Sequence, residues 1–176
     1  KRAEATIHFQ AYHDLLTRLP NRTLFKERLA AALAQARHES GGLAVMFLDI
    51  DRFKVVNDHL GQRVGDELLC ALAGRINGCL RTDDTLARIG GDEFAILASG
   101  IDDMADAERI AQKIIAALDR PFDLAGHELF AAVSIGIAIY PQHGNSVERL
   151  LKNADIAMYH GRNGMHGSHR VYAEHM

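Results

Sequence analysis

Two short acidic runs carry the residues best suited to chemistry: Asp49-Ile50-Asp51, and Asp92-Glu93 directly after Gly90-Gly91. Two ionised carboxylates about 4 Å apart repel by roughly 4 kcal/mol at an effective dielectric near 20. If the two runs meet in space, the cluster therefore needs protons or a cation. Magnesium suits such a set, because it prefers oxygen ligands and keeps positions open for substrate phosphates. Taken singly, the same acids have plainer uses: Asp51 can cap the helix that follows it, and Asp92 can fill a turn. Lys54 follows the first run by about one helical turn, where it can offset phosphate charge or simply be a solvated lysine. Asn57 and Asp66 offer hydrogen-bonding edges, and an aspartate can accept the two N–H groups that a guanine edge presents. The double glycine permits a tight turn against which a nucleotide can lie.

Positioning these groups requires a strand that ends at the first run and a hairpin that turns at the second. Residues 43–50 form a short apolar run with Val45 and Phe47, predicting a buried strand. Residues 85–89 and 93–97 read as strands joined at Gly90-Gly91-Asp92. Residues 1–14 read as a helical lead-in, before turn chemistry at Leu19-Pro20-Asn21. Asn21 then caps a helix with Phe25, Leu29, Leu33 and Ala36 at helical spacing, ended by Gly41-Gly42. Helices are also predicted over 53–60, 62–80, 105–118 and 147–159. A second hairpin pairs 122–124 with a strand at 129–140 through Ala125-Gly126-His127, and 170–172 closes the sheet. Helices interleaved with hairpins predict an α+β fold with a mixed, mostly antiparallel central sheet.

Composition narrows the class. A chain of 176 residues, 48% hydrophobic and 24% charged, suits one domain that buries roughly 70% of its unfolded surface. The formal net charge of -3 argues against a basic face for polymeric nucleic acid. No apolar run reaches the roughly 20 residues of a membrane-spanning helix, and the first ten residues lack a signal-peptide core. Cys70 and Cys79 lie nine positions apart in one helical pattern, too distant to bond. A reduced cytoplasmic protein without membrane contact is expected. Ten histidines, four of them at His160, His166, His169 and His175, raise a second metal possibility, with solvated positions the plainer account.

The run Arg88-Ile89-Gly90-Gly91-Asp92-Glu93-Phe94 resembles the signature of the GGDEF domain, the diguanylate cyclase family of bacterial signalling. The resemblance extends over nearly the whole chain. Asp14-Leu15-Leu16-Thr17-Arg18-Leu19-Pro20-Asn21-Arg22 is similar to the family's opening motif. Leu48-Asp49-Ile50-Asp51-Arg52-Phe53-Lys54, Val56-Asn57-Asp58, Gly61 and Gly65-Asp66 resemble its metal and nucleotide segment, and residues 133–138 its later core strand. The resemblance implies a palm-like nucleotide-cyclase fold over 15–172, an N-terminal signalling helix or linker over 1–14, and the start of a C-terminal linker at 173–176. It implies condensation of two GTP into cyclic di-GMP and two pyrophosphates between two domains facing each other, each holding one GTP.

By the same resemblance, Asp49, the Ile50 carbonyl, Asp92 and Glu93 hold two Mg²⁺ or Mn²⁺ ions. Asp92 or Glu93 is the general base and Lys54 a phosphate contact. Phe53 belongs to the nucleotide segment, Asn57 and Asp66 meet guanine, and Gly90 and Gly91 let the nucleotide approach. Arg81 and Asp84 match an inhibitory Arg-x-x-Asp site for cyclic di-GMP, where spacing alone suggests only an i,i+3 ion pair. Three positions depart from the pattern. Gln62 stands where a histidine is common, Arg162 takes a lysine position in phosphate binding, and His166 takes an arginine position. The partners implied are a second GGDEF domain, an upstream sensor and, from the tail 170–176, a downstream EAL phosphodiesterase domain. The alternative is a weakly catalytic GTP- or cyclic-di-GMP-binding module that regulates such a phosphodiesterase.

Overall fold

A computed structural model describes residues 2–162 and 167–176, with only the backbone of Arg2 and Arg162. The element order is α1 (Arg2–Tyr12), α2 (Arg22–Glu39), β1 (Leu43–Ile50), α3 (Phe53–Leu60), α4 (Gln62–Asn77), β2 (Thr85–Gly90) and β3 (Glu93–Ser99). There follow α5 (Met104–Ala117), β4 (Phe122–Leu124), β5 (His127–Leu129), β6 (Val133–Tyr140), α6 (Val147–Arg162) and β7 (His169–Val171). The central sheet has the order β2-β3-β1-β6-β7. All its pairings are antiparallel except the parallel β6–β7 pair, so the sheet is mixed and the fold α+β as expected.

The apolar run of β1 is explained by burial on both faces: all eight residues are buried. Side chains alternate across a strand. Ala44, Met46, Leu48 and Ile50 accordingly enter one core with Leu68, Leu69 and Leu72 of α4 and Ile114 of α5. Leu43, Val45 and Phe47 enter the other with Phe25, Leu29 and Leu33 of α2 and Leu150, Ala154 and Met158 of α6. Asn21 caps α2 as predicted, its side chain accepting from the Leu24 N–H at 3.1 Å. The helix ends earlier than the glycines suggested, at Ser40 in the left-handed region with φ 56°. Asp103 caps α5 by accepting from the Asp106 N–H at 3.0 Å.

The second predicted hairpin is corrected. Phe122–Leu124 pairs not with β6 but with His127–Leu129, as a separate two-stranded ribbon, while β6 joins the central sheet. Burial on both faces reserves β6 for the long partner β1, with register from Leu43↔Tyr140 to Ile50↔Val133. Cys70 and Cys79 are both free. No described helix is long and apolar enough to cross a membrane.

None of the described side chains of helix α1 is buried, and the helix is held by its end. Phe9 stacks on His13 with centroids 4.1 Å apart, and the Arg18 guanidinium lies 4.3 Å from the Phe9 centroid. At the other end of the fold, α6 approaches the sheet closely because β6 carries Gly136, where a Cβ would collide with Ala154 O and the Met158 backbone. Both obstacles are backbone, so no side-chain rotation relieves them. Gly136→Ala is therefore expected to destabilise the domain by about 3 kcal/mol, read as a lowered urea midpoint at unchanged m-value.

Candidate active site

The two acidic runs meet at one end of the sheet. Asp49, only 5% exposed, is the penultimate residue of β1 and lies directly across from Glu93 of β3 and Ser134 of β6. Strand parity places Asp49 on the face covered by α2 and α6, with Val45 and Phe47. Glu93 also lines a hollow of about 440 Å³ on this face, with Phe47, Arg22, Lys26 and Lys152. The Ile50 N–H donates to the Asp92 carbonyl at 3.2 Å, tying the exit of β1 to the hairpin turn. In that turn Gly91 has φ 51°, a conformation glycine adopts without strain.

Arg88 holds the turn from beneath. Its Nε and Nη2 donate to the Gly91 carbonyl at 3.0 and 2.7 Å, and its Nη1 donates to both oxygens of Asp14 at 3.1 and 3.2 Å. Asp14 accepts in addition from the Thr17 N–H and hydroxyl at 2.8 and 2.7 Å. The opening motif and the signature turn are thus joined through one guanidinium.

The oxygen-only donor set of Asp49, the Ile50 carbonyl, Asp92 and Glu93 fits the chemistry of a hard divalent cation. Among the described residues, no three His, Cys, Asp or Glu side chains already converge on one point. Among the described residues the histidines form no metal-holding group either: His169 pairs with Glu108 at 2.8 Å, and His166 lies outside the described residues.

The corner after β1 corrects the reading of Asp51 as a helix cap. Arg52 is the N-cap of α3, in the left-handed region at φ 57° and without a side-chain cap bond. Asp51 instead accepts from the Ser134 hydroxyl at 2.7 Å and from the Gly167 N–H at 3.2 Å. The start of α3 therefore has no side-chain cap on its N–H groups, an arrangement suited to phosphate. No glycine marked this corner, so sequence reasoning missed it. Lys54 is exposed one turn on, while Phe53 is partly buried against the core that includes α4.

Asn57 and Asp66 are brought to neighbouring helices, α3 and α4. The Asn57 Oδ1 is buried with no hydrogen-bond partner, and Gly65 leaves the space it occupies, since a Cβ there would overlap it. Asp66 lines a mostly apolar hollow of about 570 Å³ with Leu16, Gln62, Cys70 and Leu124. Arg162 ends α6, and its side chain lies outside the described residues.

Arg81 and Asp84 sit at the opposite end of the β2–β3 hairpin, roughly 20 Å from the turn at about 3.4 Å per residue. The Arg81 guanidinium donates to Asp84 at 3.2 and 3.3 Å and to the Ser99 carbonyl at 2.7 Å. The Asp84 side chain is 1% exposed and that of Arg81 56%, so the carboxylate is a buried anchor and the guanidinium faces outward. They line a hollow of about 430 Å³ with Arg109 and Lys113 of α5. Sequence reasoning missed these two cations. They stand on a solvated helix face, and only the tertiary fold places α5 beside residues 81–84.

The Asp14 ion pair gives a pH test. Burial raises its pKa, but the Thr17 hydrogen bonds and Arg88 outweigh this and hold it below the ordinary 3.8. A depressed folded-state pKa contributes stability above the unfolded value that is lost as pH falls through the folded one. Asp14→Asn is therefore expected to be most destabilising near neutrality, the difference from the unmodified protein shrinking below pH 3.8. Urea midpoints of both proteins across that range check it.

Residues 11–168 match the family described as diguanylate cyclase, GGDEF domain. The chain is 46% identical over 168 residues to the diguanylate cyclase TpbB of Pseudomonas aeruginosa, covering 95% of this chain and 39% of that protein. It is also 46% identical over 158 residues to the bifunctional diguanylate cyclase/cyclic di-GMP phosphodiesterase MucR of the same organism, covering 88% of this chain and 23% of MucR. The crystal structure of the GGDEF domain of Pseudomonas aeruginosa TpbB (also YfiN) superposes with a TM-score of 0.88 at 46% identity, covering 89% of this chain and 98% of that one. The chain thus spans well under half the length of these curated relatives.

Proposed function

The chain belongs to the GGDEF domain family of diguanylate cyclases, and we propose from that premise that it condenses two GTP molecules into cyclic di-GMP and two pyrophosphates. The observation that carries the reading is the placement of Asp49 opposite Glu93, with the Ile50 N–H on the Asp92 carbonyl. This arrangement brings both acidic runs to one sheet end beside the uncapped start of α3.

Asp49, the Ile50 carbonyl, Asp92 and Glu93 would hold two Mg²⁺ or Mn²⁺ ions, which when bound neutralise the triphosphate and acidify the attacking 3′-hydroxyl. Asp92 or Glu93 accepts the proton of that hydroxyl. The first N–H groups of α3, Lys54 and Arg162 meet phosphate oxygens. Asn57 and Asp66 read the guanine edge, with Phe53 and Gly65 fixing Asn57 and Leu16 and Leu124 walling the base. Gly90 and Gly91 leave the turn open to the nucleotide. Each domain supplies half of the reacting pair, so catalysis depends on docking a second GGDEF domain face to face. An upstream sensor, a downstream EAL phosphodiesterase domain and a cytoplasmic setting complete the reading.

Incubation with GTP and Mg²⁺, followed by chromatography, is expected to yield cyclic di-GMP at a turnover per chain that rises with protein concentration. Asp92→Asn and Glu93→Gln should each lower it by at least about 100-fold. Nucleotide binding without product would instead favour a regulatory module, a reading that His166 in an arginine position supports.

Arg81 and Asp84 form the product site, the guanidinium reaching guanine O6 and N7 through paired N–H groups. Arg81→Ala is expected to raise the cyclic di-GMP concentration for half-inhibition by tenfold or more, about 1.4 kcal/mol in binding. Inhibition at an unshifted concentration would remove the site from the reading.

A further inference from the structure

Asp51 has no part in the reaction just described, yet its carboxylate is bonded to two other parts of the fold. One oxygen accepts from the hydroxyl of Ser134, a residue with no exposure, at 2.7 Å. The other accepts from the Gly167 N–H at 3.2 Å. The Asp51 N–H donates to the Ala132 carbonyl at 2.8 Å, immediately before β6. We propose that Asp51 is a positioning residue for the nucleotide site, fastening the β1–α3 corner to β6 and to the chain returning from α6. This rests on the cyclase reading of the site.

Three observations favour this over the other roles open to an acid at this position. It does not cap α3, whose N-cap is Arg52. Each of its oxygens already accepts a hydrogen bond, and the short one from Ser134 is of the charge-assisted kind. Finally, the next residue needs support. A bulky, non-glycine Arg52 at φ 57° is a conformation that persists where the surroundings fix it. That corner leads directly into the uncapped N–H groups of α3. On the far side, Gly167 at φ 68° precedes Ser168, whose carbonyl accepts from the Ile135 N–H at 3.0 Å. The same carboxylate thus ties the β1–α3 corner to the backbone that leads into β7.

Asp51→Asn is nearly isosteric. Its carbonyl oxygen can still accept from Ser134, but its amide then meets the Gly167 N–H donor to donor. Ser134→Ala is the milder second variant, and Asp49→Asn the metal-ligand comparison. The readouts are amide hydrogen exchange in the nucleotide-free protein, Mn²⁺ affinity by electron paramagnetic resonance with a non-hydrolysable GTP analogue, and KM for GTP. Asp51→Asn is expected to speed exchange at residues 51–55 at least about fivefold with α5 unchanged. It should also raise KM about tenfold and keep Mn²⁺ affinity within about threefold, while Asp49→Asn loses Mn²⁺. Ser134→Ala should move exchange and KM in the same direction by less.

Loss of Mn²⁺ in Asp51→Asn to the extent seen in Asp49→Asn would overturn the proposal, making Asp51 a ligand. Unchanged exchange at residues 51–55 in both corner variants would overturn it equally. If the unmodified chain binds no GTP analogue, the cyclase reading is what fails. The exchange data on nucleotide-free protein then still decide whether Asp51 holds the corner.

Discussion

The double-sided burial of β1 is the constraint from which the site follows. With neighbours on both edges and helices on both faces, the interior of this strand can hold only apolar side chains. Polar chemistry begins where the strand ends, and Asp49 is placed there almost fully buried. A carboxylate in that position demands cations or donors around it. Its neighbours are the other catalytic candidates, with Glu93 opposite, Asp92 bonded through the Ile50 N–H, and the Asp51 corner sewn to β6. The acidic cluster is thus a consequence of where a central strand is allowed to stop.

The β2–β3 hairpin connects this cluster to two distant parts of the molecule. At one end its strands hold Arg81 and Asp84, the guanidinium being bonded to Ser99. At the other, Arg88 grips the Gly91 carbonyl and reaches Asp14 below α1. One paired ladder thus joins the Arg81–Asp84 pair at one end to the Asp14 region at the other. At each end one of the guanidinium's contacts is to a backbone carbonyl, Ser99 or Gly91, which couples it to the path of the chain and not merely to side-chain rotamers.

Much of this was legible in the sequence because its signals were local. Apolar run lengths located β1, the Gly-Gly-Asp turn located the β2–β3 hairpin, and Asn21 located the start of α2. The order of motifs supplied the family and the candidate site residues. What escaped was set by competition between distant segments. β6 could have paired with β4 by proximity in sequence, yet β1 offers eight buried partners and β4 only three residues, one of them buried. Asp51 looked like a cap because the residue after a strand and before a helix usually is one. Its real partners lie 83 and 116 positions away. Arg52 adopts a left-handed corner with no glycine to announce it. Arg109 and Lys113 came to line the hollow beside Arg81 only because α5 lies next to residues 81–84.

The register of β1 also fixes when the domain can form at all. Its partner on one side begins at Glu93 and on the other runs from Val133 to Tyr140. Closing those pairings means joining segments about 50 and 90 positions apart, and such non-local contacts slow folding because chain entropy is lost before the contacts reward it. During synthesis from the N-terminus, β1 has one open edge and an incomplete cover until β6 has emerged. Helix α6, whose Ala154 and Met158 lie against Gly136, follows later still. Within this domain the strand that organises the acids therefore emerges before the segments that enclose it, and its apolar length stays open to other chains until β6 and α6 have followed.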